Sequence, residues 1–221
     1  MMRHGIVGAC FALAIMSPAL AQDAWMAPLR PADRMRIQDV AASREKALVL
    51  AAAANAAELR AVKEILAAPS QPLDPPTLDG SWRCRALKVG GDPPLAATPF
   101  FACKIVREGS TLFLEKISGS IRRKAQLDPI DDKRMLMFGA YWAGGERAQP
   151  YGTDDYRDEV GILERLGPNR LRLELPEPRA FSEARHEIIE LCARISSARS
   201  LVSRFKHLKR RMNCTVWRCC T

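Results

Sequence analysis

The chain has 221 residues, enough for one domain with extensions, and its 48% apolar content can build a core, which excludes a wholly disordered chain. Its net charge of +9 does not mark a nucleic-acid binder, because the charge is local. Setting aside Arg3 and the eight basic residues beyond Ala193 leaves 25 basic residues against 25 acidic ones.

Residues 1–21 have the order of a secretory signal peptide. Arg3 and His4 precede an apolar run from Ile6 to Met16, then the breaker Ser17-Pro18, then the small-x-small site Ala19-Leu20-Ala21. The run is shorter than the roughly 20 residues that span a bilayer. The expectation is a periplasmic or secreted protein whose mature chain starts at Gln22.

Residues 22–78 read as a helical segment of two helices followed by a proline-rich linker. Asp33 is placed to cap a helix that continues to the alanine stretch Ala51–Ala54. Asn55 opens the second helix, with Glu58 at capping-box spacing and Leu59, Val62, Ile65 and Leu66 as its apolar stripe. Pro69, Pro72, Pro75 and Pro76 stop it.

Residues 79–192 change to period two. Predicted strands cover 80–89, 99–107, 111–117, 120–127, 134–142, 159–166, 170–176 and 186–192, with turns at Glu108-Gly109-Ser110, Asp131-Asp132-Lys133 and Gly167-Pro168-Asn169. The class is mainly β within α+β: an antiparallel meander of seven to eight strands. It closes into a small barrel, with a two-layer sandwich as the competing arrangement. Only Ala143 to Arg157 is too long for a hairpin. Trp82, Cys84 and Ala86 share one face, as do Phe101, Cys103 and Ile105, so in an oxidising compartment Cys84 and Cys103 are set to form a disulfide. Residues 193–221 form a basic, cysteine-containing tail, either disordered or the product of a shifted reading frame. Leu201, Phe205, Leu208 and Met212 would let it touch a membrane surface as an amphipathic helix.

Catalytic and metal chemistry find little support. The one histidine between the leader and the tail is His186, which lies between Glu183 and Glu187 and is read as a surface residue, so no nucleophile has a base beside it. Asp154, Asp155, Asp158 and Glu159 lack the spacing of a calcium loop and are read as a solvated acidic loop. Gly90-Gly91 and Gly144-Gly145 lack a strand-to-helix context for phosphate binding. No cofactor and no metal are expected, and the balance leans away from an enzyme without deciding it.

The polar set that stands out is Arg85, Lys88, Lys116, Arg122 and Arg123. If a barrel turned some of them inward at one end, they would form a mouth for an anionic group, with Trp82, Tyr141 or Trp142 as apolar wall. The bland alternative is that they sit on wet outer faces. Three functions compete. A monomeric, non-catalytic barrel or envelope component that binds a small apolar or anionic ligand would enclose a cavity lined by residues such as Trp82, Phe101, Leu114 and Met137. A carboxylate-dependent hydrolase acting on an envelope polymer or small ester would need two inward carboxylates about 5 to 10 Å apart. A structural or partner-binding module would have a filled interior and an exposed apolar patch.

The stretches Gly80-Ser-Trp-Arg-Cys-Arg85 with Lys88 and Gly90, Phe101-x-Cys103-x-Ile105, and Leu112-Phe-Leu-Glu-Lys116-x-x-Gly119-Ser120-x-Arg122 resemble a family of small exported proteins catalogued as domain of unknown function 4893. Val160-Gly-Ile-Leu-Glu-Arg165 and Arg170-Leu-Arg-Leu-Glu-Leu-Pro176 continue the likeness, which runs from about Trp25 to Leu191. It implies no activity.

Overall fold

Period-two alternation drives residues 80–193 into nine strands: β1 Gly80–Val89, β2 Leu95–Ala97, β3 Phe101–Glu108, β4 Thr111–Lys116, β5 Ile121–Pro129, β6 Arg134–Ala143, β7 Asp158–Gly167, β8 Arg170–Pro176 and β9 His186–Ala193. The computed structural model describes residues 24–179 and 183–193, so the expected signal peptide and the expected membrane-touching tail lie outside the described residues. Among the described residues no helix is long and apolar enough to cross a membrane.

From β3 to β9 each strand pairs antiparallel with the next. The start of β1 pairs with β3, and β1 also runs against β9 from Trp82↔Ala193 to Val89↔His186. That second pairing closes eight strands into a barrel and decides against the sandwich. The short β2, which is too brief to carry a readable alternation, pairs with the end of β1 as an extra strand. On β1 and β3, Trp82 faces Cys103, so Cys84 and Cys103 are diagonal inward neighbours; they form the expected disulfide, with Cα atoms 5.8 Å apart.

The N-terminal segment is more broken than its sequence suggests. The single helix expected from Asp33 is two, α1 Pro31–Gln38 and α2 Val40–Leu50, separated at Asp39. Arg30 holds the N-cap position with Pro31 at the first helical site, so Asp33 falls in the first turn rather than capping it. Asp33 is fully buried and accepts from the Tyr151 hydroxyl at 2.7 Å and from Arg36 at 2.9 Å. Helix α3, Ala56–Ala67, starts as expected, with the Asn55 side chain accepting from the amides of Ala57 and Glu58.

The helices cover part of the barrel's outer face. Ala47, Ala51, Val62 and Ile65 pack on Leu87, Val89 and Ile188, while Met26, Leu29 and Ile37 pack on Leu136, Phe138, Val160 and Ile162. Strands under this cover are buried on both faces, whereas β3 to β5 alternate. Polar residues tie the two layers together. Nη1 of Arg172 donates to the Ile65 and Leu66 carbonyls at the end of α3, at 2.8 and 2.7 Å.

His186, expected at the surface, is 1% exposed. It lies 3.0 Å from the Ser43 hydroxyl on α2 and 3.0 Å from Glu174 on β8, and Glu174 also accepts two bonds from Arg44. The acids that flank His186 in sequence suggested solvent, but the helical layer lies over that face. Burial pushes the Glu174 carboxyl up, but His186, Arg172 and Arg44 outweigh it and hold it below its ordinary value.

Candidate functional site

The two ends of the barrel are built differently. At one end the hairpins are tight, with Gly109-Ser110, residues 130–133 and Pro168-Asn169 as connections, and the interior is filled by Leu112, Leu127, Met135, Leu163, Leu171 and Leu191. The Trp82 indole N–H donates to the Leu78 carbonyl at 2.9 Å, so the linker is pinned at this end. At the other end the connections 90–100 and 144–157 are longer, and the interior is polar and hollow.

The hollow is a cavity of about 130 Å³ lined by Cys84, Ala86 and Lys88 of β1, Thr98, Phe101, Lys116, Ser120, Ile121, Arg123, and Glu187 and Ile189 of β9. Strand register assembles it. Lys88 stands opposite Glu187, Lys116 opposite Arg123, and Arg123 opposite Tyr141.

Arg123, 6% exposed, is its centre. Nη2 donates to Glu159 Oε1 at 2.7 Å and to Glu187 Oε1 at 3.3 Å, and Nε pairs with the second Glu159 oxygen. Burial alone would lower the Arg123 pKa, but the two carboxylates outweigh it and raise it, which keeps the guanidinium charged. Burial, reinforced by the Glu187 carboxylate, pushes Glu159 up against the pull of Arg123.

Lys116 bends over the Phe101 ring, 4.1 Å from its centroid, and donates to the carbonyls of Ser118 at 2.9 Å and Ile121 at 2.5 Å. Burial and the nearby charges of Arg123 and Arg122 bring its pKa down to about 8. Gly119, at φ +89°, makes this stacking feasible: a Cβ there would come within 2.8 Å of both the Lys116 amine and the Phe101 ring. Tyr141 sits edge-on to Tyr156, ring centroids 6.5 Å apart, and burial followed by Tyr156 pushes its hydroxyl up to about 12.

Of the residues expected at the mouth, the structure places Lys88, Lys116 and Arg123 on the cavity and Tyr141 beside Arg123. Trp82 faces inward but at the opposite, filled end. Arg85 borders the cavity from β1, yet its guanidinium turns outward, where Nε and Nη2 meet Glu190 at 2.8 and 2.6 Å and the Phe100 ring lies 4.9 Å away. Arg122 also faces outward, opposite Trp142, and donates to the Gly119 carbonyl at 2.5 Å.

Glu159 and Glu187 are the members that sequence reasoning missed. Asp158 and Glu159 were read with Asp154 and Asp155 as one solvated loop, but both are fully buried. Asp158 accepts from the Gly152 amide at 3.0 Å, and Glu159 points inward in phase with Leu163. Glu187 is likewise in phase with the inward residues Ile189 and Leu191. Parity was the available signal, masked by the habit of reading acids as solvent-facing.

Two oxygens that meet one nitrogen at 2.7 and 3.3 Å lie no more than about 6 Å apart, so Glu159 and Glu187 are two inward carboxylates close together, with Arg123 between them. Among the described residues no three His, Cys, Asp or Glu side chains gather to hold a metal ion. No curated protein and no solved structure matches this chain. A family description does match, over residues 25–191, from the first turn before α1 into the last barrel strand. The chain belongs to the family described as Domain of unknown function (DUF4893).

Proposed function

We propose that this protein is a non-catalytic barrel that binds one small ligand at its open end, working as a monomer outside the cytoplasm. The carrying observation is the asymmetry of the interior. A barrel built for stability alone would fill both ends to the density of a core, whereas here one end is packed with leucines and methionines and the other keeps a cavity of about 130 Å³. The basic, apolar, small-x-small order of the leader supports export, as does the Cys84–Cys103 disulfide, since such bonds persist in oxidising compartments.

Native mass spectrometry of the chain purified from the periplasm, beside the same sample denatured, tests this reading. Excess native mass that disappears on denaturation is the expected result, with a denatured mass that begins at Gln22. An apo mass, with no compound of a small-molecule melting screen raising the Tm, overturns it in favour of a purely structural module.

Two inward carboxylates, Glu159 and Glu187, held close together by Arg123 favour a second reading, a carboxylate-dependent hydrolase. It is the weaker one, because the Arg123 guanidinium fills the space between the carboxylates that a water and a scissile bond would need. Hydrolysis of a chromogenic glycoside or ester, abolished by Glu187→Gln, would establish it.

A further inference from the structure

Resting on the ligand-binding reading above, we infer that the occupant of the cavity is a small monocarboxylate with an apolar body of about the size of benzene.

Three observations converge on that chemistry. The first is an anchor. Arg123 is more than nine-tenths buried and lines the cavity, and its Nε and Nη2 are committed to Glu159 and Glu187. Its Nη1 makes no hydrogen bond among the described residues, so a guanidinium N–H is left for an arriving acceptor. A carboxylate oxygen is the acceptor that a guanidinium N–H holds most strongly.

The second is charge. Lys88, Lys116 and Arg123 line the cavity with Glu187, while Glu183 and Glu159 attract Lys88 and Arg123 from outside the lining. An amine entering the cavity would meet three like charges, whereas one carboxylate meets three cations. A second carboxylate on the same ligand would have to lie against the apolar wall.

The third is shape and wall chemistry. Ala86, Phe101, Ile121 and Ile189 make the wall apolar, which suits a hydrocarbon body and not a sugar. The volume is close to the roughly 150 Å³ of an engineered apolar cavity that holds benzene. A ring or a chain of about six carbons therefore fills it, with the carboxylate turned to Arg123.

Isothermal titration of the full chain with benzoate and hexanoate, beside benzamide, hexanamide and benzylamine, tests the assignment. Carboxylates should bind at least tenfold more tightly than their amides, and benzylamine should not bind. Lys88→Met, which removes one of the cations lining the cavity, should cut the carboxylate preference severalfold. The pairwise neutral variant Arg123→Gln with Glu159→Gln should abolish that preference; the Lys88 variant stands alone if this one fails to fold. Ala86→Leu, which fills the cavity from its wall, should abolish binding of every compound while the Tm is retained. Equal binding of amides and carboxylates overturns the monocarboxylate assignment and leaves the ligand-binding reading intact. Carboxylate binding that survives Ala86→Leu places the site elsewhere and overturns the assignment. Failure of all five probes also overturns it, and native mass spectrometry then decides whether the cavity is filled by another class of ligand or by none.

Discussion

Lys116 carries two consequences that run in opposite directions with pH. Its folded pKa of about 8 lies below its ordinary value of 10.5, so between pH 8 and 10 the unfolded chain holds a proton that the folded chain has released. Stability contributed by this group therefore rises with pH across that window. Over the same range the mouth loses a positive charge, so carboxylate affinity should fall as pH passes 8. Titrations of binding and of urea midpoint from pH 7 to 10 check both slopes, and Lys116→Met should flatten them together. A binding slope that persists in that variant would assign the effect to another group. Glu174 behaves in the opposite sense. Its folded pKa is depressed, so its stabilisation is present above its unfolded value and is lost as pH falls through the folded one. Glu174→Gln leaves Arg44, Arg172 and His186 without their common anion and should cost about 3 kcal/mol at pH 7. Urea unfolding at pH 7 and pH 4 should show the gap between variant and wild type narrowing in acid. The cations of the site were legible because Lys88, Lys116 and Arg123 stand out among apolar inward neighbours. Their counter-charges were not, since Glu159 and Glu187 carry the same local signature as acids that face water. Only the partner strand, Lys88 opposite Glu187 for instance, tells them apart.

Among the elements, α3 and the β1–β3 pair give the plainest tests. Asn55 caps α3 with two amide bonds, so Asn55→Ala should cost about 1 kcal/mol, measured by thermal unfolding, without touching the cavity. The disulfide closes a loop with a sequence separation of 19, so replacing Cys84 and Cys103 by Ala should cost about 3 kcal/mol in the chain-entropy view. Period two was strong enough to read eight barrel strands because β3 to β5 keep one face toward solvent. It was weaker in β6, where Met135 to Tyr141 are buried without interruption, since Met26, Leu29 and Ile37 cover its outer face. The break between α1 and α2 at Asp39 and the three-residue β2 left no pattern long enough to read. Closure was not legible either, because a sandwich and a barrel share the same alternation. It is the pairing of β1 with β9 that distinguishes them.

At the scale of the molecule, the barrel separates a filled end from a hollow one. The leucines and methionines around Trp82 carry the packing, and the hollow end then has room for buried charges that a core would not otherwise tolerate. Substitutions at the filled end should therefore move stability and leave affinity alone, while Lys88 and Arg123 should do the reverse or both. The β1–β9 seam has a further meaning for how the chain is made. Trp82 finds its partner in Ala193, near the far end of the described chain. Each hairpin from β3 onward can zip as it emerges from the ribosome, but the seam waits until β9 has been synthesised. At about 5 to 20 residues per second the edge of β1 stays unpaired for several seconds. Under the proposal that the chain is exported, that delay is an asset: until its last strand arrives the polypeptide has no locked barrel, and it remains a thread that a translocation channel can pass.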